Sequence, residues 1–434
     1  MKFKNKWYSF LRILKKNLAI QEESDFESKL SEPYRTWPVF LLAFIRLFYV
    51  SIFERALSNY LIWDIGIRKS TLGFITSAGA ISYIVAPILG QYITKKYLGI
   101  RNALIFTSIS TPILTGAQIF FPTPGFLIIC RITIGISMGF FWPNCLTLMS
   151  KWQKISSFEK SKKNFAIFNL SWNSGFIVGL IVGFLLVIFS SDLLAMIISW
   201  GFSFLLIPAS LFIKKDSKAE TTKDGIIYQT EDPLTHLDIE ESLVVNSKTP
   251  LVVYPILFSW VGVMFLAISK SSIMFSYPLF LNAITDITYF TYLVQLGIQS
   301  TQLIGLTLTN SMKTHSKKVA TLVGLTFIII FASAIAITKN IIVISILSAC
   351  AGLFIGFIHG TSMKIMLEYG TAKDSTRYST INEIIIGISF GFTPLIAGFV
   401  AEINIYSIFL FLAISGSLVL IFMVYISRNI KKNV

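Results

Sequence analysis

The chain has 434 residues, 54% of them hydrophobic and 14% charged, with a formal net charge of +15 from 37 Lys+Arg against 22 Asp+Glu. So little charge over such a length excludes an ordinary soluble protein and indicates one that crosses a membrane repeatedly. The cationic excess does not point to nucleic acid, because the basic residues sit mostly in short segments between apolar runs, as membrane topology requires.

Residues 1–37 are polar and show no cleavable signal peptide. Within them "NKWYSFLRILKKNLAI" places Trp7, Phe10, Leu11, Leu14 and Leu18 on one helical face, with Arg12, Lys15 and Lys16 elsewhere, so a basic amphipathic helix on the inner leaflet competes with a poorly ordered tail. At about 20 apolar residues per crossing, twelve spans follow. They lie at 39–61, 71–93, 103–121, 125–149, 165–188 and 192–213, then 251–279, 287–309, 319–338, 340–366, 381–401 and 403–426. The expected architecture is all-α: bundles at 38–213 and 251–427, a solvated linker at 214–250 and a short tail at 428–434. Cations cluster after spans two, four, eight and ten, which predicts that both termini and the linker are cytoplasmic.

Span one carries Arg46, Glu54 and Arg55, which cannot all face one cavity at 100° per residue. Arg46 is expected to snorkel inward, and Arg55 to face the outer interface or a neighbouring helix. Span four contains "RITIGISMGFFWP", residues 131–143. Its Gly135, Gly139 and Pro143, four residues apart, mark a packing stripe, because close backbone approach replaces the hydrophobic drive in lipid. Arg131, Met138 and Trp142 form the adjoining stripe. Arg131 either faces a cavity or snorkels to the outer interface.

Span five brings Trp172 and Asn173, then Gly175, Gly179 and Gly183. Span seven holds Lys270 and, on the same face, Tyr277; span eight holds Gln295, Gln299 and Gln302. In span ten His359 shares a face with Ser348 and Gly352, and Gly352, Gly356 and Gly360 repeat the spacing of span four. Span eleven repeats span five with Gly387, Gly391, Pro394 and Gly398. The same two helices marked in both halves indicate pseudo-symmetric bundles, a repeat common among transporters. Glu383, in "TINE", reads as the acid of a capping box at the start of span eleven.

The six-plus-six layout and "RITIGISMGFFWP" resemble the major facilitator superfamily, as do the glycine-rich "GFIVGLIVGF" and "GISFGFTPLIAGF". "GQYITKKYLGIRN", with Gly90, Lys95, Gly99 and Arg101, resembles that family's loop between spans two and three. Two departures stand out: Thr94 replaces the usual aspartate, and the gap to Gly99 is one residue longer. The resemblance covers residues 39–426 and implies alternating access around a midplane site lined by spans one, four, seven and ten. Glu54 and Arg131, at matched depth on two such spans, are expected to pair.

The candidates for substrate or coupling contacts are Glu54, Arg131, Trp142, Trp172, Asn173, Lys270, Tyr277, Gln299 and His359. An Arg131–Lys270 pair of cations would favour an anionic solute, a preference that weakens if Glu54 neutralises Arg131. The sequence contains no GxxxxGK[ST], HExxH or GxSxG, so neither a self-contained ATP-driven pump nor an enzyme is indicated. Three cysteines inside apolar runs suggest no disulfide framework, and no metal or cofactor is expected. The expectation is therefore a secondary transporter of an anionic or polar metabolite in the cell membrane. Proton coupling through Glu54 or His359 and facilitated diffusion both fit, and the resemblance implies a monomer. The competing readings are efflux of amphiphilic compounds and a non-transporting sensor or scaffold.

Overall fold

A computed structural model describes residues 35–155, 158–214, 252–312, 314–338, 340–372, 375–428 and 431–432. The amphipathic N-terminal segment, nearly all of the 214–250 linker and most of the short tail lie outside the described residues. What is described is almost wholly helical; a two-residue antiparallel ladder pairs Val252 with Lys432 and Val253 with Lys431.

Ten helical runs among the described residues are long and apolar enough to cross a bilayer, against the twelve spans expected. Two features account for the difference. One run, Lys69–Phe120, is 52 residues long, nearly twice what a crossing needs. It breaks at Gly99, whose φ of 72° lies in the left-handed region, so spans two (Lys69–Ile93) and three (Gly99–Phe120) are separate helices. The other is the helix of span eight, Phe290–Ser311, which is too polar to qualify by composition. Its Thr291, Gln295, Gln299, Gln302 and Thr309 are all buried, so its polarity faces protein rather than lipid.

The remaining helices are Trp37–Asn59 for span one, Phe158–Phe189 for span five, Ile256–Asn282 for span seven and Thr314–Ile337 for span nine. Ile341–Ala372, Ser375–Ile403 and Ser407–Arg428 supply spans ten to twelve. Their outward faces stay apolar: Leu418, Ile421 and Tyr425 of span twelve are exposed at helical spacing.

Span four is not the single helix the sequence suggested. It divides into Pro124–Met138 and Trp142–Ile155, with turns at Gly139–Phe141. Pro143 lacks an N–H and its ring clashes with the carbonyl four residues earlier, that of Gly139. Span six breaks the same way at Phe204–Leu205, ahead of Pro208, into Asp192–Ser203 and Leu206–Leu211.

The glycine stripes pack as close backbone contacts, but the two halves use them differently. A Cβ on Gly135 would meet Gly79 and Ser82, and one on Gly139 would run into Ala86, so span four lies on span two. Gly352, Gly356 and Gly360 press likewise on Ile298, Gln302 and Thr309 of span eight. Gly175 and Gly179 lie on Phe44 and Phe48 of span one, whereas Gly183 meets the Tyr292 ring of span eight. In span eleven, Gly387 and Gly391 press on Ile84 and Ile81 of span two, and Gly398 and Pro394 come against Gly73. The repeat is therefore equivalent in spans four and ten, while span eleven turns its stripe to the other half.

The loop motif shows how its extra residue is absorbed. Thr94–Leu98 forms a π-helical turn, which takes one residue more per hydrogen-bonded ring than an α-turn. Gly90 fits against the Gly139 carbonyl, and buried Thr94 accepts a hydrogen bond from Asn144 Nδ2 at 3.1 Å. Lys95 is exposed. Arg101 donates from Nε to the Ile213 carbonyl at 2.7 Å, at the end of span six. Lys318, at the start of span nine, donates to the Ser427 carbonyl of span twelve at 3.0 Å. In each half a loop cation thus satisfies the free carbonyls and negative end of the last helix.

Candidate functional site

Spans five, seven, eight and ten bring a cluster of polar and aromatic side chains together near the middle of their helices. Lys270 Nζ donates to Gln299 Oε1 at 2.7 Å and Gln302 Oε1 at 3.0 Å, and sits 5.3 Å from the centre of the Phe176 ring. Gln299 Nε2 donates in turn to Asn173 Oδ1 at 2.8 Å, which carries the network from the second half to the first. Gln302 Nε2 lies 3.2 Å from His359 Nδ1, and the His359 ring lies 6.0 Å from that of Trp172. Trp172 Nε1 donates to Asn169 Oδ1 at 3.1 Å.

The local sequence explains this arrangement. Gln299 and Gln302 are three residues apart and so share one face of span eight, as Asn169 and Asn173 share one face of span five. Lys270 is half-buried, and no carboxylate lies within ion-pair distance of it among the described residues. Its charge is met by amide dipoles and an aromatic face instead. Such a cation binds an anion without first giving up an acid partner.

A second cation lies in the first half. Arg46 was expected to snorkel inward; instead it is 1% exposed. Its guanidinium donates to Thr111 Oγ1 and Met138 Sδ, and lies 5.1 Å from the Phe141 ring centre and 5.7 Å from that of Tyr49. Its Nε has no hydrogen-bond partner among the described residues, and no carboxylate pairs with it there. The reason it does not snorkel is steric: buried Phe141 and Tyr49 flank the guanidinium. The break in span four sets Phe141 there, in the turn after Met138.

Arg131 and Glu54 form an ion pair at 2.5 Å, with side chains 12% and 33% exposed. Glu54 therefore neutralises Arg131, which leaves Arg46, Arg55 and Lys270 as the cations of spans one, four and seven without acid partners among the described residues. Arg55 donates to the Met274 carbonyl of span seven at 2.9 Å. Tyr277 shares a helix face with Lys270 but bonds elsewhere, to Ser345 Oγ at 2.9 Å. Trp142 stays outside the cluster, edge-on to Phe141 at 5.0 Å. Gln295 and Ser348 are buried, with Gln295 Oε1 and Ser348 Oγ unpartnered among the described residues.

The capping role expected of Glu383 is overturned. The helix begins at Ser375, so Glu383 lies two turns inside it. Buried there, it accepts a hydrogen bond from Tyr83 of span two at 2.7 Å. This is one of several bonds between the halves. At the expected outer ends Lys69 donates to the Ala401 carbonyl at 3.0 Å and Ser70 Oγ to Glu402 at 3.0 Å. Asn59 reaches Thr288 and Thr291 from the end of span one. The helix ends that meet are those an alternating up-and-down order brings to one side.

The pattern described as Major Facilitator Superfamily matches residues 39–309, more than half of the chain. The chain belongs to the major facilitator superfamily. Among solved structures, the nucleoside transporter NupG is similar at 12% identity and a TM-score of 0.63, covering 91% of this chain and 99% of that one. A point mutant of the same transporter is similar at 12% identity and a TM-score of 0.64, covering 90% and 99%. At that identity the likeness speaks for the fold. No curated protein matches. The chain is accordingly a multi-pass membrane transporter of a solute, not an enzyme.

Proposed function

We propose that the protein moves a small organic anion or polar metabolite by alternating access, through a site between the halves built on Lys270, Gln299, Gln302, Asn173, Trp172 and His359. The observation that carries this reading is Lys270, a cation held by Gln299 and Gln302 with no carboxylate within ion-pair distance among the described residues; Arg46 and Arg55 of the first half likewise lack acid partners there. Amides around Lys270 supply donors and acceptors for a polar solute, and Trp172 and Phe176 supply flat apolar surface. A nucleoside, the solute named for NupG, combines a ring with hydroxyls and belongs in the same trial panel.

The bundles at 38–213 and 251–427 act as the rocking bodies, joined by a cytoplasmic linker at 214–250, with both termini cytoplasmic in the cell membrane. Charge asymmetry between the loops supports that orientation. A monomer contains the whole site. Protons acting on Glu54 or His359 are one energy source; facilitated diffusion is the other.

The test is uptake into proteoliposomes of labelled organic anions, nucleosides and cationic amphiphiles. Saturable anion or nucleoside flux that Arg46→Gln abolishes supports the proposal. Flux of cationic amphiphiles alone would favour efflux. No flux with any group would favour a sensor that kept the fold, the reading to which Thr94 in place of an acid lends weight.

A further inference from the structure

The outer ends of spans one, six and eight converge on one amide nitrogen. Asn59 Nδ2 lies 2.9 Å from Asp192 Oδ1, 3.1 Å from Thr291 Oγ1 and 3.3 Å from the Thr288 carbonyl. Three acceptors surround a group that has two hydrogens to give. Asn59 is fully buried, yet its Oδ1 has no partner among the described residues. Asp192 is 6% exposed and Thr291 1%, and no cation lies within ion-pair distance of Asp192 among the described residues. A carboxylate this deep without a counter-charge is costly.

We propose that this cluster is a binding site for a monovalent alkali cation, with Na+ as its probe. The amide nitrogen stands among oxygens that would suit a cation. Swinging the Asn59 side chain aside vacates the position that its Nδ2 now fills, and an ion there meets Asp192 Oδ1, Thr291 Oγ1 and the Thr288 carbonyl, with Asn59 Oδ1, turned about its soft terminal torsion, left to close the site from the vacated side. Hard oxygen ligands suit an alkali or alkaline-earth ion. A single carboxylate among neutral oxygens balances one positive charge and not two, which separates the site from calcium or magnesium cages with several acids.

Asn59 and Asp192 belong to the first half, and Thr288 and Thr291 to the second. An ion held by both would favour the arrangement in which the outer ends touch. Whatever stabilises that arrangement then binds the ion more tightly, by reciprocal linkage. The binding site itself is independent of the proposed solute; only this consequence rests on alternating access.

The experiment is thermal unfolding of the purified full-length protein in detergent, titrated with NaCl against choline chloride at constant ionic strength, together with direct retention of radioactive sodium. The expected result is a saturable stabilisation by Na+ that choline does not reproduce. At 100 times the dissociation constant it amounts to about 2.7 kcal/mol. Asp192→Asn and Thr291→Val should each lose it while remaining folded by circular dichroism. If either variant fails to fold, sodium retention by Asn59→Asp, which adds a carboxylate, should exceed that of the unaltered chain. Equal responses to sodium and choline, or sodium retention unchanged in all folded variants, would overturn the proposal.

Discussion

Gln299 of span eight donates to Asn173 of span five across the boundary between the halves, and with its other amide atom accepts from Lys270. One side chain thus couples the second half's half-buried cation to the first half. Any rocking of the bundles must stretch or exchange this bond, so the amide is placed to report whether a solute occupies the site.

Asn173→Ala should cost about 1 kcal/mol, the net worth of one buried hydrogen bond. Gln299→Ala should cost more, because Lys270 also loses an acceptor. A double-mutant cycle in denaturant should return a coupling of about 1 kcal/mol. A coupling of zero would mean that the bond does not join the halves in solution.

The Glu54–Arg131 pair should behave as a unit. Glu54 is a third exposed, so the loss on breaking the pair should fall between the about 1 kcal/mol of a surface pair and the about 3–5 kcal/mol of a buried one. Glu54→Gln and Arg131→Gln should each slow solute flux, with less than additive loss in the double variant. Full additivity would refute the coupling.

Gly139→Leu should reduce folded yield or block the transport cycle, because the new side chain collides with the backbone of Ala86 on span two. Overpacking of this kind costs about 1–3 kcal/mol or more. Gly201→Leu, at a glycine with open space around it, should express normally by size-exclusion profile. Equal yields for the two variants would remove the packing stripe as an explanation.

Thr94→Val should destabilise by about 1 kcal/mol by taking the acceptor from Asn144, while Thr94→Ser should be neutral. Thermal unfolding of the three proteins distinguishes this from a threonine kept only for its methyl group, where valine would be the neutral change.

The membrane class, the two halves and the packing glycines of span four follow from local spacing, because small residues every four positions leave few ways to pack in lipid. The polar members of the central cluster were also visible, as amides and cations inside apolar runs. What was not legible is which neighbour each would meet. Arg46 sits a helix turn or more from either end, and only the break ahead of Pro143, which brings Phe141 and Met138 against it, decides between snorkelling and burial. Glu383 fitted a capping box by its four-residue context, yet its partner Tyr83 lies 300 positions away. Nor did anything near Asn59 in the sequence announce Asp192 or Thr291.

The measurement that bears most directly on the central claim is thermal stability of the purified protein against organic anions, nucleosides, sugars and cationic drugs in parallel. A ligand that binds the folded state raises stability with its occupancy. Stabilisation by anionic or polar solutes, lost in Lys270→Gln and in Arg46→Gln, is what the account predicts. Stabilisation by cationic drugs alone, or an anion effect that survives both substitutions, would contradict it.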